Sequence, residues 1–253
     1  MKTIQLRNRA GFILLVPALV WIAGCASSST KTQTGVEPAA RELLDSVSAR
    51  LGPAHTIQVE AEQKVAPPLG LGLPLDHGRI ELAVERPNRF YAIQPAGRET
   101  REVAYDGKSL CIMYPGQRHY ALEPMEADTI EQFAQLTDER FGFRPPVAEL
   151  LASDMTAEFL QGVTSARVLG TESIGWTHCE HLRLEQEGMI VELWVGAKDR
   201  LPHRLLITCT DIQGKPTWNI RFSKWELNAP LDETLFSKRP AAGSLKVQMV
   251  KSR

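Results

Sequence analysis

The chain has 253 residues, 43% of them hydrophobic and 23% charged, with 29 Lys and Arg against 30 Asp and Glu. This composition excludes a disordered chain, a collagen-like fibre and a disulfide-dense miniprotein. The formal net charge of −1 supplies no basic field for nucleic acid, so no nucleic-acid partner is expected, and the length suits one large domain or two small ones.

The chain opens with a leader. Residues 1–10 are polar and basic, and an apolar run follows from Phe12 to about Ile22. About a dozen residues are too few to span a bilayer, which takes ~20, and suit the hydrophobic region of a signal peptide. The run ends in Ile22-Ala23-Gly24-Cys25, which resembles the lipobox of bacterial lipoproteins. The resemblance implies a signal peptide over residues 1–24 and lipid attachment at Cys25, the mature N-terminus. Acyl chains there make a firm anchor, since each buried CH₂ contributes ~0.8 kcal/mol. Ala26 rather than Asp follows the Cys, which points to the outer membrane. The expected location is its periplasmic face, with membrane lipid as partner through the acyl anchor. Loss of Lys2, Arg7 and Arg9 leaves 26 basic against 30 acidic residues, a net of −4. Residues 25–35 read as the lipidated Cys and a flexible tether, with six Ser or Thr.

Residues 36–253 read as a single domain. Val36, Ala40, Leu43, Leu44, Val47 and Leu51 share one helical face; Thr34 and Glu37 have capping-box spacing, and Gly52-Pro53 stops the helix. The period then becomes two. Ile57, Val59 and Ala61 alternate with polar residues, as do Ile80, Leu82 and Val84, and a third strand follows the turn Arg86-Pro87-Asn88-Arg89. Asp106-Gly107 between residues 103–105 and 109–114 predicts a hairpin with a type I′ turn. A further strand covers 118–122. Helices are expected over 127–140 and from Pro145-Pro146 to Leu151, with Phe159-Leu160 closing the block. Strands resume at 166–169, 178–184, 189–195, 204–210 and 218–225. Short turns make these strands antiparallel, and about ten of them exceed what a flat sheet holds, so curling is expected.

Tyr105-Asp106-Gly107-Lys108-Ser109-Leu110, with Tyr114-Pro115 and Tyr120, resembles the strand-turn-strand of the LolA/LolB-like lipoprotein localisation superfamily. The match is closer to a family of predicted periplasmic proteins in that superfamily. Arg86-Pro87-Asn88-Arg89 fits it, as do Gly170…Gly175…Cys179…His181-Leu182, Leu193-Trp194-Val195 with Pro202, and Phe236…Pro240-Ala241…Gly243. The resemblance implies an α+β fold: a strongly curved antiparallel sheet, an incomplete half-barrel, with helices covering its concave face and space for acyl chains. Lipid or lipoprotein cargo is the partner it suggests.

The candidate ligand-binding residues are apolar. Val191 and Leu193, Leu205 and Ile207, and Trp218, Ile220 and Phe222 form apolar strand faces that either line a cavity or pack under helices. Leu69, Leu71 and Leu73 stand in a Pro- and Gly-rich connection of about twelve residues, read either as a loop folded over the sheet rim or as an exposed apolar finger. His178-Cys179-Glu180-His181 invites a metal or Cys–His reading, but alternate strand residues point to opposite faces and no catalytic motif accompanies it. No metal, cofactor or catalytic residue is expected, and the chain is read as a non-enzyme. Cys111, Cys179 and Cys209 are an odd number, so at least one is free, and a simple meander puts a strand between Cys179 and Cys209. The best reading is a lipid-anchored carrier or sensor of apolar ligands. The alternatives are an envelope lipoprotein with a solid core and protein partners and, behind it, an enzyme or metal-binding protein using the His178/Cys179/His181 region.

Overall fold

The computed structural model describes residues 35–66, 76–96 and 99–249. In chain order the elements are β1 (Gly35–Val36), α1 (Pro38–Leu51), β2 (Thr56–Ala66), β3 (Asp76–Glu85), β4 (Arg89–Ala96), β5 (Glu99–Tyr105), β6 (Ser109–Tyr114) and β7 (His119–Pro124). Then come α2 (Ile130–Phe141), α3 (Ala148–Leu151), α4 (Met155–Leu160), β8 (Val163–Ile174), β9 (Thr177–Gln186), β10 (Met189–Gly196), β11 (Pro202–Cys209), β12 (Thr217–Leu227) and β13 (Leu245–Lys246). Cys25, its leader and Leu69, Leu71 and Leu73 lie outside the described residues.

All thirteen described strands belong to one open, curved sheet in the order β1-β8-β9-β10-β11-β12-β2-β3-β4-β5-β6-β7-β13. The expected count was about ten. The difference includes β1 and β13, two-residue strands that pair in parallel with β8 and β7 at the sheet margins. Two residues cannot display an alternating period, so no sequence signal announces them.

The order dictates where the helices go. β7 and β8 follow one another in the chain yet lie near opposite margins of the sheet. The segment joining them has to cross the whole sheet, and α2, α3 and α4 do so over the concave face. Their buried Phe133, Leu150, Leu151 and Met155 share one core with Val84, Phe90, Tyr105, Leu110 and Leu182.

The crossing is pinned at its start. Phe133 of α2 stacks on Tyr105 with ring centroids 4.2 Å apart and lies 5.4 Å from Phe90. The Tyr105 hydroxyl, buried with the ring, accepts from the Ala127 N–H at 2.9 Å. Asn88 donates to the Ala127 carbonyl at 2.8 Å, and Arg86 donates to the carbonyls of Ala54 and Ala152. The Arg86-Pro87-Asn88-Arg89 motif thus holds the helical crossing to the sheet. α2 itself is capped by Thr129, which accepts from Gln132 N–H, and ends at Gly142 with φ 66°.

Two local expectations differ from the structure. α1 starts at Pro38, with Glu37 as a cap residue whose side chain makes no capping bond. Pro at the first helical position, where no N–H partner exists, does the work instead. Tyr105 pairs with Leu110, so the β5–β6 connection is longer than a two-residue type I′ turn, and within it only Gly107 takes positive φ. The Asp106 carboxylate shapes this loop by accepting from Lys108 N–H, Ser109 N–H and the Ser109 hydroxyl.

A second, smaller core lies on the convex face. Ala83, Tyr91, Ala104, Cys111 and Met113 project there from β3–β6 and are covered by Phe236 and Leu235 of the C-terminal segment. Lys238 of that segment pairs with the buried Glu102 carboxylate, which also accepts from the Tyr91 hydroxyl.

Candidate functional site

On the concave side the crossing leaves a gap over β10, β11, β12 and the end of β2. The gap is a cavity of about 530 Å³. Its sheet wall follows from register. Val191 is directly opposite Ile207, Ile207 opposite Trp218, and Trp218 opposite Val65, so four apolar side chains form one row across four strands. Met189 and Cys209, also paired, extend the wall toward the strand ends, and Leu205 extends it inward. Trp218 is held by a hydrogen bond from its indole N–H to Gln63 Oε1 at 3.3 Å. The facing wall comes from the crossing: Arg144, Pro145, Glu149, Glu158, Phe159 and Gln161.

Of the ten sequence-named ligand residues, Val191, Leu205, Ile207 and Trp218 come together in this cavity. Leu193, Ile220 and Phe222 share its face but do not line it. Leu193 and Ile220 are fully buried, and Phe222 nearly so, where the helices close onto the sheet. Val65, Met189, Cys209 and Pro216 complete the sheet wall and are not among those ten. Met189 and Cys209 had a signal, the same alternation that marked Val191 and Ile207. The residues of the crossing had none, because nothing local says which strands they pass over.

A second concavity, of about 500 Å³, opens on the convex face between β12, β2 and β3. Lys64, His77, Arg79, Arg221, Asn219 and Glu62 line it, so it lacks an apolar wall.

The side chains of His178, Glu180 and His181 are held in structural contacts. His181 stacks on Trp194 at 4.2 Å, and Arg204 from the next strand lies 4.4 Å from the same indole. Glu172 accepts from the Trp194 indole N–H at 2.9 Å and meets His181 Nδ1 at 3.1 Å, while His181 Nε2 lies 3.2 Å from Glu192. Glu180 pairs with Arg200, and His178 with Ser173. Burial pushes the Cys179 thiol up, away from the reactive thiolate. Among the described residues, no three His, Cys, Asp or Glu are placed to hold a metal ion. Cys111, Cys179 and Cys209 are all free, with β10 between the strands of the last two.

Residues 40–250 match the family of predicted periplasmic proteins DUF2092. The chain belongs to this family. Its structure is similar to Mycobacterium tuberculosis lipoprotein LppX at 14% identity, over 78% of this chain and 98% of that one, with a TM-score of 0.48. LprF from Mycobacterium bovis is similar at 13% identity over 78% and 96%, with a TM-score of 0.47. A LolA superfamily protein from Nitrosomonas europaea is similar at 14% identity over 79% and 97%, with a TM-score of 0.36. No curated protein sequence matches the chain.

Of the three cysteines among the described residues of this family member, only one reaches the cavity. Cys111 and Cys179 are buried, whereas Cys209 is half-exposed on the cavity wall. That gives the site a native chemical probe.

Proposed function

We propose that this is a lipid-anchored periplasmic protein of the outer membrane that holds an acyl chain or similar apolar ligand in the half-barrel cavity. It acts as a carrier or sensor and performs no covalent chemistry. Residues 1–24 are the leader, Cys25 carries the lipid, residues 25–35 are the tether and residues 36–253 the binding domain. The observation that supports this is the uncovered row Val191-Ile207-Trp218-Val65. A row of apolar side chains left open to water costs about 1.5–3 kcal/mol for each large residue relative to burial, and an apolar ligand offsets that cost. The volume lies within the ~300–1,000 Å³ of small-molecule sites. At ~30 Å³ for each group the size of a water, it takes roughly 18 groups, the size of one acyl chain. Leu69, Leu71 and Leu73 follow Val65 closely in the chain and are proposed to add to the ligand or membrane contact.

The test uses Cys209. A bound apolar ligand should slow its alkylation by a maleimide, and native mass spectrometry of the purified non-acylated chain should find co-purifying lipid. Alkylation at the same rate with and without added fatty alcohol, and no lipid in the spectrum, would remove the reading. Separately, Cys25→Ala should abolish palmitate labelling; unchanged labelling would remove the anchor. A second reading, contact with an envelope protein, is favoured by Trp176. Its side chain is 103% exposed at the tip of the β8–β9 hairpin.

A further inference from the structure

The cavity has two unlike walls. The sheet wall is apolar, while the crossing supplies Arg144, Glu149, Glu158 and Gln161, and Gln186 closes one end from β9. The charges on this wall do not cancel. The Arg144 guanidinium lies 3.4 Å from Glu149 Oε1 and neutralises it. Glu158, half-buried near the end of α4, has no side-chain hydrogen-bond or ion-pair partner among the described residues. The Gln186 amide donates to Met189 Sδ at 3.3 Å, which leaves its carbonyl oxygen as an acceptor. The wall therefore presents one net negative charge and acceptor oxygens beside an apolar surface.

We propose that the cavity selects its occupant by head charge. It takes a single-chain amphiphile with an ammonium head and rejects chains that end in a carboxylate or phosphate. This rests on the apolar-ligand reading above and narrows it. The chain lies on the row from Val191 to Val65, and the ammonium group meets Glu158 with Gln186 Oε1 accepting one of its N–H bonds. Phe159 and Pro145 on the same wall keep the surroundings less polar than water, so charge interactions there are several-fold stronger than in bulk solvent. An anionic head would instead be placed against an uncompensated carboxylate.

The experiment uses the chain from residue 26 onward, which keeps every described strand and helix, loaded with Nile red as a neutral fluorescent occupant. Dodecylammonium, dodecanol and dodecanoate, each below its micelle concentration, compete for the site at low salt. Dodecylammonium should displace the dye at about tenfold lower concentration than dodecanoate, with dodecanol between them, and added salt should shrink the gap. Glu158→Gln should bring the three together. Arg144→Gln, which frees Glu149, should widen the gap. Equal displacement by all three, or a preference for dodecanoate, overturns the head-charge inference and leaves the apolar-ligand reading standing. If Nile red does not bind, or none of the three displaces it, the apolar-ligand reading itself fails. A gap that is unchanged in both variants locates the selectivity elsewhere and overturns the roles given to Glu158 and Arg144.

Discussion

In the part of the sheet formed by β3–β7, both faces are covered. α2 packs Phe133 onto Tyr105 and Phe90 on the concave side, and Phe236 closes the convex side over Tyr91, Cys111 and Met113. In the part formed by β8–β12, the concave side keeps a cavity of about 530 Å³. The convex side there is closed by its own side chains, the His181–Trp194–Arg204 stack with Glu172 and Glu192 around it. Both parts have equally alternating strands. They differ in what the rest of the chain lays over them. Double cover buries apolar side chains on both faces of β3–β7; incomplete cover leaves part of the apolar face of β10–β12 open to the cavity.

The comparison can be broken first at Phe133. Phe133→Ala should cost about 3–5 kcal/mol in urea unfolding, because a fully buried ring on two aromatic partners is removed. A loss below about 1 kcal/mol would mean that β3–β7 is not the stable part. Phe236→Ala should come next, at about 3 kcal/mol, the low end for a buried Phe because the short C-terminal segment can partly collapse into the space.

The same convex cluster has a pH signature. Burial pushes the Tyr91 hydroxyl up, Glu102 adds to this and Lys238 opposes it, giving about 12 against an ordinary 10.0. Burial alone would lower Lys238, but its hydrogen bonds to Glu102 and Tyr91 outweigh that and raise it. Both groups have folded values above their unfolded ones. Their contribution is therefore whole below about pH 10 and is lost as pH rises through the raised values. The melting temperature should fall as pH climbs from 10 toward 12, and Tyr91→Phe should flatten that fall. An equally steep fall in the variant would detach the cluster from alkaline stability.

On the binding side, Ile207→Ala should cost less than about 1 kcal/mol, since the side chain is already half-exposed, while ligand retention drops. A stability loss as large as that of Phe133→Ala would erase the contrast between the two parts. Trp176→Ala should change stability by no more than about 0.5 kcal/mol, as its side chain is free of the fold.

Much of this architecture was legible from residue order. The switch from period 3.6 in residues 40–51 to period 2 from Ile57 onward marked α1 and β2, and the helical block between two meanders marked the crossing. Leu193 and Val191 looked alike in the sequence, as did Ile220 and Trp218. Each pair lies on one face of one strand, two residues apart, yet one member is sealed under helices and the other lines the cavity. Likewise no sequence pattern shows that Glu172, Trp194 and Glu192 gather around His181.

The amino-acid sequence by itself determined the strand faces, the central helices and the free cysteines' places in strands. These depend on local periodicity, and each residue's neighbours at i ± 2 or i ± 4 are enough to express it. Only the tertiary structure decided which stretch of apolar face stays open and which carboxylates line it. Those depend on a crossing that runs from β7 at one margin to β8 at the other. That Glu158, Phe159 and Arg144 line one cavity with Val65 and Trp218 is set by sheet order, which no local pattern encodes.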